Sequence, residues 1–272
     1  IIALDVVLPE PKDARGDADL LRLASDRKLV LSQVFDYAAR NPPIQAGQPA
    51  AALAEKSASH TDLPKATGFI ANHTGLSKAP CVGNIGFIPD TDGKLRRVLH
   101  QTVFENQLYP SLSLAVINCM GVGGQINQTI TKPSAALLFD IRPEQWTVIP
   151  AKNIFLAAQN SPESEELRAL IRGKIVIVGS SALGLADRVA TPIAANMSGM
   201  FVHAQAISEL LAPRGYDSQR LGGITTGLVH LGLVLALVLC ILRLRKPLAL
   251  SLSTGLIFMA WLTFAVLQIR AG

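Results

Sequence analysis

The chain opens on an almost unbroken apolar run, Ile1 to Leu8, interrupted by Asp5. That pattern predicts a buried β-strand. The segment "GDADLLRLASDRK" then reads as a helix and "LVLSQVF" as a second buried strand. Residues 41–66 are rich in Pro, Ala, Gly and Ser and predict an irregular excursion. "CVGNIGFIP" and "LRRVLHQTVF" read as two strands of a hairpin joined by "DTDGK", whose Asp-Gly pair is the expected turn signal. "YPSLSLAVINCM" follows as a helix, with Pro110 near its start and Gly121 as its stop.

Further on, "AALLFDI" predicts a strand and "WTVIP" a short second one. "SPESEELRALIRG" reads as a helix with Ser161 as N-cap, Pro162 in the first turn, acids beside it and Gly173 at its end. "KIVIVG" is the strongest parallel-strand signal, and "GMFVHAQAISELLAP" is a final helix stopped at Pro213. Strands alternating with helices predict an α/β domain, with a mixed, mainly parallel sheet flanked by helices and a hairpin inserted midway.

After Pro213 the pattern changes. Residues 214–223 are a polar, Gly-containing linker. Residues 224–242 and 248–269 are apolar and free of acids. As helices they span roughly 28 Å and 33 Å, which matches a hydrocarbon core of ~30 Å. The loop between them, residues 243–247, is "RLRKP". Its three bases mark it as cytoplasmic, so residues 1–220 are expected outside the inner (plasma) membrane of a bacterium, in the periplasm or beyond. The chain starts without Met, directly in a strand, and stops just after the second apolar segment, which reads as an excerpt of a longer protein.

Composition sharpens this picture. The 272 residues are 49% hydrophobic and 17% charged, which excludes a disordered chain or a highly charged coil. The net charge is +5, from 25 bases and 20 acids. Four of the bases (Arg243, Arg245, Lys246 and Arg270) and none of the acids lie beyond residue 220, so residues 1–220 hold 21 bases against 20 acids. No electrostatic footprint for nucleic acid is present there. The three cysteines, Cys81, Cys119 and Cys240, form no CxxC, which excludes a Cys-rich zinc site and a disulfide framework. A single bond between Cys81 and Cys119 fits an oxidising compartment, but two free buried thiols are the plainer expectation.

Enzyme chemistry is weakly supported. Ser181, Asp187 and His203 stand in the chain order of an α/β-hydrolase triad, but Gly179 is followed by Ser180, Ser181, Ala182 and Leu183, so the second glycine of the nucleophile elbow is missing. A phosphate loop fails too, because Leu185 and Ala186 stand where Lys and Ser/Thr belong. "DTDG" lacks the later ligands of a calcium loop and reads as a turn. The five histidines show no metal-ligand spacing; His203 reads as a packed core residue and His230 as a contact between the two apolar helices. No cofactor or metal is expected. What remains is a polar loop at the carboxyl end of a parallel strand, where α/β folds bind ligands. Ser180, Ser181, Asp187, Thr191 and His203 are its candidate ligand-binding residues; Asp187 and Thr191 serve equally well as braces of the loop.

The residues of this region resemble a known family. "GKIVIVGSSALGLADRVATP" and "GMFVHAQAISELL" are similar to the type-two CHASE domain, through Gly173, Lys174, Gly179, Gly184, Leu185, Asp187, Thr191, Pro192, Gly199, His203 and Ala204. "DVVLPEP" resembles the family's first strand through Asp5, Pro9 and Glu10. "IPDTDGKLRRV" resembles its acidic-glycine-arginine signature through Asp90, Asp92, Gly93, Arg96 and Arg97, and "PSLSLA" the helix that follows. The resemblance covers nearly all of residues 1–213. It implies an extracytoplasmic sensory module that answers an unidentified ligand and works as a homodimer. Its membrane helices would pass the signal to an adenylate or guanylate cyclase, a diguanylate cyclase, a histidine kinase or a Ser/Thr kinase. No effector motif occurs in this chain, so no catalytic residue is assigned. The family also has an anchor before the domain and three helices after it; this sequence holds only two of these.

Overall fold

The computed structural model describes residues 1–53, 63–122, 134–159, 164–180, 188–212, 223–243 and 246–271. They divide into two units, Ile1–Pro213 and Arg214–Gly272.

The first unit is built on a six-stranded mixed sheet. Strands β1 (Ile2–Asp5) and β2 (Leu29–Asp36) run parallel, joined by helix α1 (Ala14–Ser25). Asp13 caps α1, its Oδ2 accepting from the Gly16 amide at 2.8 Å. β2 is eight residues long, so its far edge serves two neighbours. Leu31–Gln33 pair in parallel with β5 (Val82–Asn84), and Val34–Asp36 pair antiparallel with β4 (Gly68–Ile70). β3 (Gln45–Ala46) pairs with β4, so the expected irregular excursion returns to the sheet edge. On the other side of β1 lies β10 (Val176–Gly179), parallel and in register from Ile2↔Val176 to Asp5↔Gly179.

Both faces of this sheet are covered, which is why its strands read as apolar runs. Leu29, Leu31 and Leu76 pack with the apolar side of α1 on one face. Ala3, Val30, Val116 and Ile207 pack on the other, beneath α2 (Leu112–Cys119) and α5 (Gly199–Leu211). A third cluster, with Leu95, Val98, Leu137 and Val202, lies under two small ribbons. These pair β6 (Arg97–Leu99) with β9 (Ser134–Ala136), and β11 (Arg188–Val189) with β12 (Met197–Ser198).

Several expectations are corrected. "DTDGK" does not join a hairpin: the strand before it pairs with β2 and the strand after it with β9. The hairpin is instead β7 (Gln101–Phe104) with β8 (Gln107–Pro110). Its two-residue turn is Glu105-Asn106, with φ of 47° and 61°, the left-handed pair that such a turn demands. Pro110 therefore ends a strand, and Ser111 caps α2 with its side chain on the Leu114 amide. "WTVIP" is no strand; helix α3 (Ala151–Ala157) follows it, and α4 (Ser164–Ile171) comes next. Ser161 and Pro162 lie outside the described residues. Cys81 and Cys119 are not free thiols: they form a disulfide, with Cα atoms 5.9 Å apart. β5 and α2 are packed against each other in the same core cluster, and this brings together two cysteines that local sequence cannot relate.

The second unit consists of helices α6 (Gly223–Arg243) and α7 (Pro247–Ala271). They pack together, and the His230 ring meets Phe264 edge-on at 5.7 Å, the expected contact between the helices. Their side chains are described at 227–243 in α6 and at 247, 249 and 251–265 in α7. The transmembrane hairpin expected over residues 224–242 and 248–269 is not found here: among the described residues, no helix is long and apolar enough to cross a membrane.

Candidate functional site

The chain leaves β1 through α1 toward β2, whereas β10 lies on the opposite side of β1. The strand order therefore reverses between β1 and β10, and their carboxyl ends mark the crevice where open α/β sheets bind ligands. Asp5 and Gly179 end these two strands side by side. Asp5 points to the same face as Ala3, toward α5, and there it meets His203, with Oδ1 and Nε2 3.8 Å apart. Gly179 makes this approach feasible. A Cβ on it would stand 3.2 Å from the Asp5 Cβ and 3.2 Å from the Met200 Cβ.

Asp5 and His203 are both buried. The Phe87 ring stacks on the imidazole at 4.7 Å. A carboxylate nearby would favour imidazolium, but 3.8 Å exceeds hydrogen-bond distance. Burial dominates and pushes the His203 pKa down to about 3, against an opposing hydrogen bond with the Ile85 backbone. His203 is thus a neutral, enclosed ring at pH 7. The hydrolase order needed it facing substrate; Ser181 and Asp187 lie outside the described residues.

Of the other candidates, Ser180 and Thr191 take part in local hydrogen bonds. The Ser198 hydroxyl donates to the Ser180 carbonyl at 2.7 Å, tying the residue after β10 to the start of α5. Thr191 is buried and uses its hydroxyl within its own turn. Its Oγ1 donates to the Ala194 carbonyl and accepts from the Ala194 amide, both at 3.1 Å. Of the two readings of Thr191, this geometry is that of the brace around Pro192. Gly184 lies outside the described residues.

The acidic-glycine-arginine segment is likewise a structural turn. The Asp90 amide donates to the Lys94 carbonyl at 2.9 Å, and Gly93, at φ 77°, takes the left-handed position. Arg96 reaches back to Asp90 at 2.7 Å and grips Asp92 with two bonds, of 2.9 and 2.7 Å. Those bonds hold the Asp92 carboxyl far below its usual range. Carboxylates so engaged leave no calcium cradle. Arg97 points from β6 to the Ser134 hydroxyl, 3.4 Å away. The turn and the 188–191 segment meet, because the Leu95 amide donates to the Ala190 carbonyl at 2.7 Å. Two segments about a hundred residues apart in sequence thus form one structure at the edge of α5.

Sequence reasoning missed two polar anchors. Asn84, at the carboxyl end of β5, accepts from the amides of Phe35 and Gly86 and donates to Tyr37 and Thr102. Gln205, buried on α5, donates to the Leu138 carbonyl and to Asp140. A polar residue at a core-facing helical position was the available signal for Gln205. Among the described residues, no group of three or more His, Cys, Asp or Glu is placed to hold a metal ion.

No curated protein matches the chain. No solved structure matches it either. The family model described as "CHASE2 domain" matches residues 1–242, beyond the domain and into α6. The chain therefore belongs to the CHASE2 family, the extracytoplasmic sensory domains of signalling receptors.

Proposed function

We propose that residues 1–213 are the sensory input of a membrane-bound receptor, and that α6 and α7 carry its signal across the inner membrane toward a cytoplasmic effector. The observation that carries the external placement is the Cys81–Cys119 disulfide, since such bonds persist in oxidising compartments. The family match supports the link to the membrane, because it continues from the domain into α6. The Arg243, Arg245 and Lys246 connector supports a cytoplasmic turn between the helices. An adenylate or guanylate cyclase is the effector we favour, in a homodimeric receptor. The chain itself is a sensory module, not a catalyst.

Topology reporters test this. The chain is exported behind a cleavable leader, with alkaline phosphatase or a fluorescent protein joined after Lys246. The fluorescent fusion should glow and the phosphatase fusion should be inactive. The opposite pattern refutes the membrane reading.

A further inference from the structure

Strands β1, β2 and β10 are parallel, so the helices that return between them end together at the amino edge of the sheet. α1 ends just before β2, and there the Ile2 amide donates to the Lys28 carbonyl at 2.9 Å. α4 ends just before β10, where the Val176 amide donates to the Ile1 carbonyl at 3.0 Å. α2 stops at the same edge, with the Cys119 sulfur 3.8 Å from the Arg27 carbonyl. α5 starts at the opposite edge, where Ser198 bonds the Ser180 carbonyl. It runs back until Leu210 packs, with Ile1 and Ile175, on the cluster of Ala3 and Val30. The last helix of the domain therefore ends at the amino edge, and residues 212–222 separate that end from α6.

This edge is both basic and apolar. Arg27 and Lys28 follow α1, Arg172 and Lys174 follow α4, and all four are exposed. Lys28 and Arg172 make only surface pairs, with Asp26 at 3.7 Å and Glu165 at 3.9 Å, which water screens. Glu209, the acid near the end of α5, is engaged by the Leu138 amide at 3.3 Å. On the same edge Met120, after α2, is 41% exposed, and Leu211, closing α5, is 44% exposed. Cations after a helix complement its dipole. That role gives no use for a protruding methionine and leucine beside them.

Bases interspersed with protruding apolar side chains suit the headgroup region of a bilayer. There the cations meet phosphates and the apolar groups reach the acyl boundary. Charge favours this occupant over a second copy, because two such edges face to face would set bases against bases. Continuity favours it as well, since under the receptor reading the chain passes from this edge toward the membrane. We propose that the amino edge of the sheet docks the sensory domain on acidic phospholipid headgroups, through Arg27, Lys28, Arg172 and Lys174, with Met120 and Leu211 at the acyl boundary. The inference rests on the receptor reading for the presence of the membrane.

The full 272-residue chain in nanodiscs of phosphatidylcholine, alone or mixed with phosphatidylglycerol, tests it. A fluorophore is attached at Ser25→Cys, the last residue of α1, or at Ala14→Cys, its first, each with Cys240→Ser. Both positions are exposed, and they lie roughly 16 Å apart along the helix. A nitroxide carried on the lipid headgroup should quench the probe at residue 25 in acidic discs, and less in neutral discs or at high salt. The probe at residue 14 should stay bright. One cation near an acidic surface changes the docking equilibrium roughly fivefold, so Lys28→Gln with Lys174→Gln should lower the docked-to-free ratio about 30-fold, with the melting temperature unchanged. A residue-25 probe indifferent to lipid charge, equal quenching at both positions, or quenching untouched by the lysine substitutions overturns the docking and leaves the receptor reading standing. Cross-linking of two chains through cysteine 25, whatever the lipid, assigns the edge to a second copy and also overturns it. A chain that does not enter the discs overturns the docking and the receptor reading together.

Discussion

Removing the Cys81–Cys119 disulfide should cost a large part of the domain's stability. The bond joins residues 38 apart in sequence. Closing a loop of that length restricts the unfolded chain, and the chain-entropy relation puts the effect near 4 kcal/mol at 25 °C. Domains are stable by only about 5–15 kcal/mol in total. For a unit of this size each kcal/mol moves the melting temperature by roughly 2–4 °C, so the loss corresponds to ~8–16 °C. Both cysteines sit in the cluster beneath α2 and α5, where Cys81→Ala with Cys119→Ala also removes a little packing. The assay compares thermal unfolding of the oxidised chain, the reduced chain and the double variant, alongside thiol titration in denaturant. One reactive thiol per oxidised chain is expected, from Cys240. Three reactive thiols, or equal melting temperatures with and without reductant, would refute both the bond and the placement argued from it.

Further expectations concern the core. Unfolded histidines titrate near 6.5, whereas burial holds His203 near 3 and His100 near 4 in the fold. The unfolded chain therefore binds more protons below pH 6.5, so stability is complete above that pH and falls as acid is added. Urea midpoints measured from pH 7 to pH 4 should decline, and His100→Gln should flatten part of the slope; a level profile contradicts the burial argument. Gly83→Ala should abolish folding or cost more than about 3 kcal/mol, because the new Cβ would lie 2.7 Å from the Leu112 amide nitrogen, and backbone cannot yield as a side chain can. A soluble variant with a wild-type melting temperature rules that packing out. Ser198→Ala removes the bond to the Ser180 carbonyl and should cost about 1 kcal/mol in chemical denaturation.

Much of the architecture was legible in the amino-acid order alone. The apolar runs at Ile2–Asp5, Leu29–Asp36 and Val176–Gly179 are strands, and the periodic segments at Ala14–Ser25 and Gly199–Leu211 are helices. These patterns report burial within a few residues of each position, which is the range over which strand and helix periodicity act. The succession of acid-free helices and the motifs of the CHASE2 family were visible for the same reason.

Only the tertiary structure decided which strands meet. Asp-Gly chemistry at residues 92–93 marks a turn correctly, yet it says nothing of what the flanking segments pair with. β5 goes to β2 and β6 to β9 because those partners bury Leu31 against Val82 and Val98 within the third cluster. The same holds for Cys81 with Cys119, Asp5 with His203, and Asp17 with His73. Each pair joins groups that no local window contains, and each owes its distance to the packing of helices on the sheet. Whether a serine or threonine in the 180–191 loop faces a ligand or braces a turn depends on where its hydroxyl finds a partner. For Thr191 that partner is Ala194, a choice made by the folded backbone.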